Sequence, residues 1–148
     1  MLVASHEAPL RSFLARMGSP QSADDIAQEA FLKAWRFAAS YDGHARFSTW
    51  LTKIAWRCLL DEARKPRPAP EKPGESVAGD AEQAAEISDM LARLSQPERA
   101  ALILCEGHGW SHAEAAEMLR MPLGSLKTTI ARAKAKCRSM WRPQDADY

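Results

Sequence analysis

Six basic side chains, Lys127, Arg132, Lys134, Lys136, Arg138 and Arg142, fall between residues 121 and 142 with no Asp or Glu among them. If that stretch is a helix, Leu126, Ile130, Ala133 and Cys137 recur at i, i+4, i+7 and i+11 and face a core. Ser125, Lys127, Thr128, Ala131, Arg132 and Lys134 are then turned outward. Solvated helix faces normally intersperse acids among their bases. This one carries bases alone, so it suits contact with a polyanion, and those six outward residues are candidate DNA readers. A second basic surface lies earlier in the chain. Phe47, Trp50, Leu51, Ile54, Ala55, Cys58 and Leu59 form an apolar stripe, and off it stand Arg46, Thr49, Lys53, Trp56, Arg57 and Arg64. On this phasing Trp50 belongs mainly to the core, and Trp56 is an exposed indole able to stack on bases.

Metal and covalent chemistry find less support. Cys105, His108 and His112 have C-x2-H-x3-H spacing, with Glu114 close in sequence. Gly107 and Gly109 break the helix that would bring those ligands to one side, and no fourth ligand is placed. No metal and no cofactor is expected. Nucleophile-elbow, phosphate-loop and zinc-protease motifs are missing, so the chain is not expected to be an enzyme. Cys58, Cys105 and Cys137 do not follow a disulfide framework and read as reduced thiols.

The elements that must hold these residues are helical, because no segment alternates with the period of a strand. The expected fold class is all-α, two small helical modules joined by a flexible linker. The linker signal is KPRPAPEKPGESVAGD, residues 65–80, where four prolines and two glycines interrupt the apolar pattern. Before it, one helix runs from about Leu2 to Met17, closed by a turn at Gly18-Ser19-Pro20, and a second begins near Ser22. In the second, Ile26, Ala30, Phe31, Ala34 and Trp35 form the apolar side, and Asp25, Gln28, Glu29, Lys33 and Arg36 the polar side. After the linker, Ser95-Gln-Pro-Glu98 and Ser111-His-Ala-Glu114 are capping boxes that start two helices. The second ends near Leu119, and a short turn through Gly124 leads to the basic helix from about Ser125 to Trp141. Short helix, tight turn and basic helix make a helix-turn-helix.

Composition agrees. The 148 residues carry 20 Lys and Arg against 19 Asp and Glu, with 46% hydrophobic content, which excludes a chain disordered throughout. No uncharged apolar run approaches the ~18 to 20 residues of a membrane span, and the start, MLVASHEAPL, lacks the basic region and apolar core of a secretion signal. A cytoplasmic protein without membrane insertion is expected.

Four segments occur in an order that resembles the extracytoplasmic-function sigma factors: DDIAQEAFLKAWR (24–36), FSTWLTKIAWRCLLDEAR (47–64), LSQPERAALIL (94–104) and GWSHAEAAEMLRMPLGSLKTTIARAKAK (109–136). The resemblance implies region two at 1–65, which grips the β′ clamp helices of RNA polymerase and captures the melted minus-10 element. It implies a linker at 66–85, region four at 86–142 reading the minus-35 element, and a tail at 143–148. It further implies contacts with the polymerase β subunit, restraint by an anti-sigma factor, and a monomer when active. Carried over by motif, Asp25, Gln28, Glu29, Leu32, Trp35 and Arg36 match the polymerase-binding helix. Residues 41–48 match the base-capture loop, and Trp50, Lys53, Trp56 and Arg57 match the helix that lies against promoter DNA. Arg57 replaces a customary Asn, Arg120 a customary Gly and Thr129 a customary Arg, which implies a promoter preference of its own. The bare residues leave two other classes open. A helix-turn-helix regulator with a helical sensor domain would dimerise on a palindrome without polymerase, and a metal-dependent sensor would copurify with zinc.

Overall fold

The structure, a computed structural model, describes residues 2–17, 20–64 and 81–141. Every regular element among them is helical. The chain divides into two compact units, Met1–Ser76 and Val77–Tyr148.

Unit 1 contains α1 (Leu2–Met17), α2 (Pro20–Arg36), a short 3-10 turn (Ala38–Ser40) and α3 (Phe47–Ala63). Helix α1 continues through Pro9. An interior proline costs ~3 kcal/mol. Leu10, Phe13, Leu14 and Met17 are each at most 4% exposed, and at roughly 1.5–3 kcal/mol per buried side chain they outweigh it. The turn expected at 18–20 falls partly outside the described residues. Pro20 itself opens α2, where its fixed φ suits a first turn and its missing N–H removes no bond. The buried side of α2 is made of Ala23, Ile26, Ala27, Ala30 and Ala34. These mostly small residues bring α1 and α3 in close, since α2 packs on both.

Unit 2 contains α4 (Ala81–Ala92), α5 (Gln96–Leu102) running into a π-helical turn (Ile103–Gly107), α6 (His112–Leu119) and α7 (Leu123–Met140). Residues 66–80 of the expected linker, Arg142 and the tail lie outside the described residues. Residues 81–85 are already helical, in a segment, AEQAAEISDMLA, rich in strong helix formers. Both capping boxes form. Ser95 Oγ accepts from the Glu98 N–H at 3.3 Å while Glu98 Oε1 accepts from the Ser95 N–H at 3.0 Å. Ser111 and Glu114 repeat the exchange at 3.1 and 3.0 Å. Arg99 donates to the Leu91 carbonyl at 2.7 Å, closing the end of α4. Gly109, at φ +70, turns the chain so that Trp110 is buried and its N–H reaches the Leu104 carbonyl at 3.0 Å.

Helix α6 ends at Arg120, which adopts φ 55, ψ 48. The left-handed residue lets the Met121 N–H reach the Ala116 carbonyl at 3.0 Å, a helix stop that usually employs glycine. Helix α7 starts at Leu123, two residues before the expected Ser125. The extended backbone of Pro122 precedes the first turn, and its carbonyl accepts from the Leu126 N–H at 3.0 Å.

Candidate nucleic-acid and protein interfaces

On α7 the phasing expected from sequence holds. Leu126, Ile130 and Ala133 are buried and Cys137 is half-buried, while Ser125, Lys127, Thr128, Ala131, Arg132 and Lys134 are all exposed. Gly124, Thr128, Ala131 and Ala135 follow one another at four, three and four residues along the exposed side. Lys127, Lys134 and Arg138 lie along one flank of that line, Arg132 and Lys136 along the other. Small residues allow close approach to a groove floor, and basic flanks reach the phosphates on either side.

The bases are not equally available. Lys134 Nζ pairs with Glu106 at 2.7 Å, and Lys136 Nζ pairs with Glu98 at 2.8 Å. Lys127 and Arg132 form no ion pair among the described residues. Thr128 donates its hydroxyl to the Gly124 carbonyl at 3.1 Å, and Thr129 donates to Ser125 at 2.7 Å. Both hydroxyls are therefore engaged along the helix.

Sequence reasoning missed the Lys136 pair. Glu98 was legible as a capping residue, but its side chain is only 5% exposed and the same Oε1 serves Ser95 and Lys136, 38 residues on. Burial pushes this carboxyl up. The Lys136 ammonium and the Ser95 amide prevail and bring it down to about 2. Its Oε2 is buried without a hydrogen-bond partner.

On α2, Asp25, Gln28, Glu29, Leu32, Trp35 and Arg36 are all exposed. Trp35 is 84% exposed and Leu32 63%, so Trp35 is not part of the apolar side to which periodicity assigned it. Ala30 and Ala34 fill the contact with the rest of the unit, and the indole lies past its edge. Beside these residues an open groove of about 540 Å³ is lined by Phe31, Gln28, Arg11 and Asp24. Arg11 bridges Glu7 at 2.7 Å and Asp24 at 3.5 Å. An aromatic and a leucine standing in water among charges have the composition of a protein-docking anchor.

On α3 the two tryptophans exchange roles. Trp56 is 6% exposed and Thr49 is fully buried, so neither belongs to an open basic surface, and Trp56 is not available to stack on bases. The reason is that α3 packs on both α1 and α2, which widens its buried arc beyond a single stripe. The open side carries Trp50, Lys53 and Arg57 at i, i+3 and i+7. Trp50 and Lys53 are half-exposed and Arg57 is exposed.

Loop 41–46 leads into this helix. Tyr41 packs its ring on Trp50 at 5.2 Å and Phe47 at 5.8 Å. His6 of α1 meets Phe47 edge-on at 5.1 Å. Burial raises the pKa of the Cys58, Cys105 and Cys137 thiols, and all three are free. Cys105, His108 and His112 do not converge: among the described residues no three His, Cys, Asp or Glu side chains are grouped to hold a metal ion. No described helix is long and apolar enough to cross a membrane.

Comparison with known proteins gives two family matches, sigma-70 region 2 over residues 2–68 and sigma-70 region 4 over residues 84–137. The chain is 36% identical over 131 residues to the ECF RNA polymerase sigma factor SigM of Mycobacterium tuberculosis, covering 83% of this chain and 67% of that protein. It is similar to CnrH, solved in complex with the cytosolic domain of CnrY, with a TM-score of 0.73 and 28% identity over 99% of this chain and 87% of that one. It shares the fold of the sigma factor RpoE of Bartonella quintana, solved with the anti-sigma factor NepR, at a TM-score of 0.78 and 20% identity, covering 99% and 96%.

Proposed function

The chain belongs to the extracytoplasmic-function sigma factors of the sigma-70 family, non-enzymatic factors of transcription initiation, and from that premise we propose a role for each surface. Asp25, Gln28, Glu29, Leu32, Trp35 and Arg36 dock on the β′ clamp helices of core RNA polymerase. The loop 41–48 with Trp50, Lys53 and Arg57 holds the melted minus-10 strand. Ser125, Lys127, Thr128, Ala131 and Arg132 meet the minus-35 duplex, with Lys134 contributing only when it leaves Glu106. Unit 2 also contacts the β subunit, and the protein acts in the cytoplasm as a monomer. An anti-sigma factor restrains it, a reading supported by the partners present in the CnrH and RpoE structures.

The observation that carries this reading is the exposure of Trp35 and Leu32 on the otherwise polar outer face of α2. A free-standing helix-turn-helix regulator needs no such anchor in its other unit, whereas a factor that acts only through polymerase does. The chemistry of RNA synthesis then belongs to polymerase, and the chain supplies position and base recognition. Run-off transcription with purified bacterial core polymerase on a promoter library tests it. Transcripts that require both proteins are expected. Binding to a palindrome by a dimer, with no dependence on core enzyme, would refute it.

A further inference from the structure

Two lysines of α7 are held by acids of unit 2, and they are held differently. Lys136 is bound to Glu98, whose side chain is 5% exposed and whose Oε1 also accepts from the Ser95 N–H at 3.0 Å. Departure of Lys136 to a phosphate would strand a buried carboxylate, so this lysine stays. Lys134 is bound to Glu106 at 2.7 Å, but both side chains stand about half in water, at 45% and 51%. A pair of that kind contributes little to stability, and its partners exchange readily. Glu106 sits in the π-helical turn Ile103–Gly107, where the His108 N–H reaches back five residues to the Ile103 carbonyl at 3.1 Å. Ile103 and Leu104 anchor that turn in the core, so the carboxylate is presented to α7 from a fixed base. Lys134 lies two turns beyond Lys127 on the same flank, about 10.5 Å along the axis.

We infer that Glu106 is a positioning residue that withholds Lys134 from DNA phosphates and thereby sets the sequence-independent part of the affinity of α7 for duplex. The inference rests on the minus-35 role proposed above for that helix. Sequence-independent binding is supplied by cations that displace the counterions of phosphates, and each such contact adds about 0.9 to the salt slope. With Glu106 in place, Lys134 must give up one anionic partner to gain another, and that exchange returns little. With Glu106 removed, the ammonium comes to the phosphate from water and a further contact is gained. Arg132 forms no ion pair among the described residues, so base preference does not depend on Glu106. A stronger grip on every sequence competes with promoter search, because a genome offers ~10⁶–10⁹ non-specific sites. Glu106 therefore keeps the grip of the helix from outrunning its reading.

The test uses the full chain and anisotropy titration of two labelled duplexes, one carrying a selected minus-35 element and one of scrambled sequence, from about 50 to 200 mM salt. Glu106→Gln should tighten binding to both roughly two- to fivefold at the lower salt and steepen the salt slope by about 0.9. The ratio between the two duplexes should be unchanged, and so should the melting temperature. Lys134→Met alone should change affinity little, and combined with Glu106→Gln it should remove most of the gain. A gain of the same size in the Lys134→Met background would show Glu106 acting through space as a bare charge, and would overturn the inference. Unchanged affinity and slope in Glu106→Gln, with Lys127→Ala still weakening binding, would overturn it while leaving the minus-35 role in place. Failure of both the unsubstituted chain and Glu106→Gln to bind either duplex would overturn the minus-35 role and the inference together.

Discussion

Glu98→Gln removes the charge from a carboxylate that joins the start of α5 to the recognition helix, and its cost should depend on pH in a defined way. The carboxyl titrates at about 2 in the folded protein against 4.5 as its ordinary value. That difference corresponds to about 3 kcal/mol at roughly 1.4 kcal/mol per pH unit. Because the folded value is the lower one, the contribution is complete above about pH 4.5 and is lost as pH falls toward 2. Lys136 is 44% exposed, and solvent screening of that partner places the expected loss at about 2–3 kcal/mol near neutrality. Urea titration of the full chain, read by amide resonances of α5 and α7 with those of α1–α3 as internal control, measures it. The gap between native and substituted protein should be widest at pH 6–7 and should narrow below pH 4. Lys136→Met leaves a buried charge alone and should cost at least as much as Glu98→Gln, and the double substitution should recover part of the sum. A gap of the same size at pH 3 and pH 7, or additive costs in the double variant, would refute the coupling of α5 to α7 through this pair.

Arg132→Ala should weaken binding to a selected minus-35 duplex by ~1–3 kcal/mol and relax preference at one base pair if its contact is bidentate, as anisotropy titrations would show. Lys127→Ala should instead weaken all duplexes alike and reduce the salt slope by ~0.9; Lys134→Ala, already paired to Glu106, should do less. Leu32→Ala with Trp35→Ala should abolish copurification with core polymerase while leaving the melting temperature unchanged, since both side chains stand mostly in water; a lowered melting temperature would reassign Trp35 to packing. Arg120→Gly relieves a left-handed backbone at φ 55 and should raise the stability of unit 2 by about 1 kcal/mol in the same urea assay. The segment 65–80 can span at most about 53–58 Å fully extended, so deleting 72–79 halves its reach and should silence promoters that require both elements while each unit still binds its own target.

Much of this was legible in the chain because it depends on local rules. Ser95 and Glu98, like Ser111 and Glu114, specify helix starts through bonds that span three residues, so pattern alone located α5 and α6. The outward set on α7 follows from one helix with one core side, which period 3.6 describes fully. That argument fails on α3, where two neighbouring helices bury Thr49 and Trp56 and leave Trp50, Lys53 and Arg57 outside. It fails again on α2, where alanines fill the contact and Trp35 is left in solvent, because periodicity records that a residue is apolar and not how wide a neighbour's footprint is. The Glu98–Lys136 pair and the packing of Tyr41 on Trp50 and Phe47 are equally invisible to spacing. Each depends on where separate segments meet in space, and no rule of sequence distance encodes that. Sequence therefore determined the helices, the two units and the sign of the α7 surface, which are consequences of near-neighbour chemistry. Tertiary packing decided which indole is open and which lysines are occupied, because burial is a property of all the helices around a residue at once.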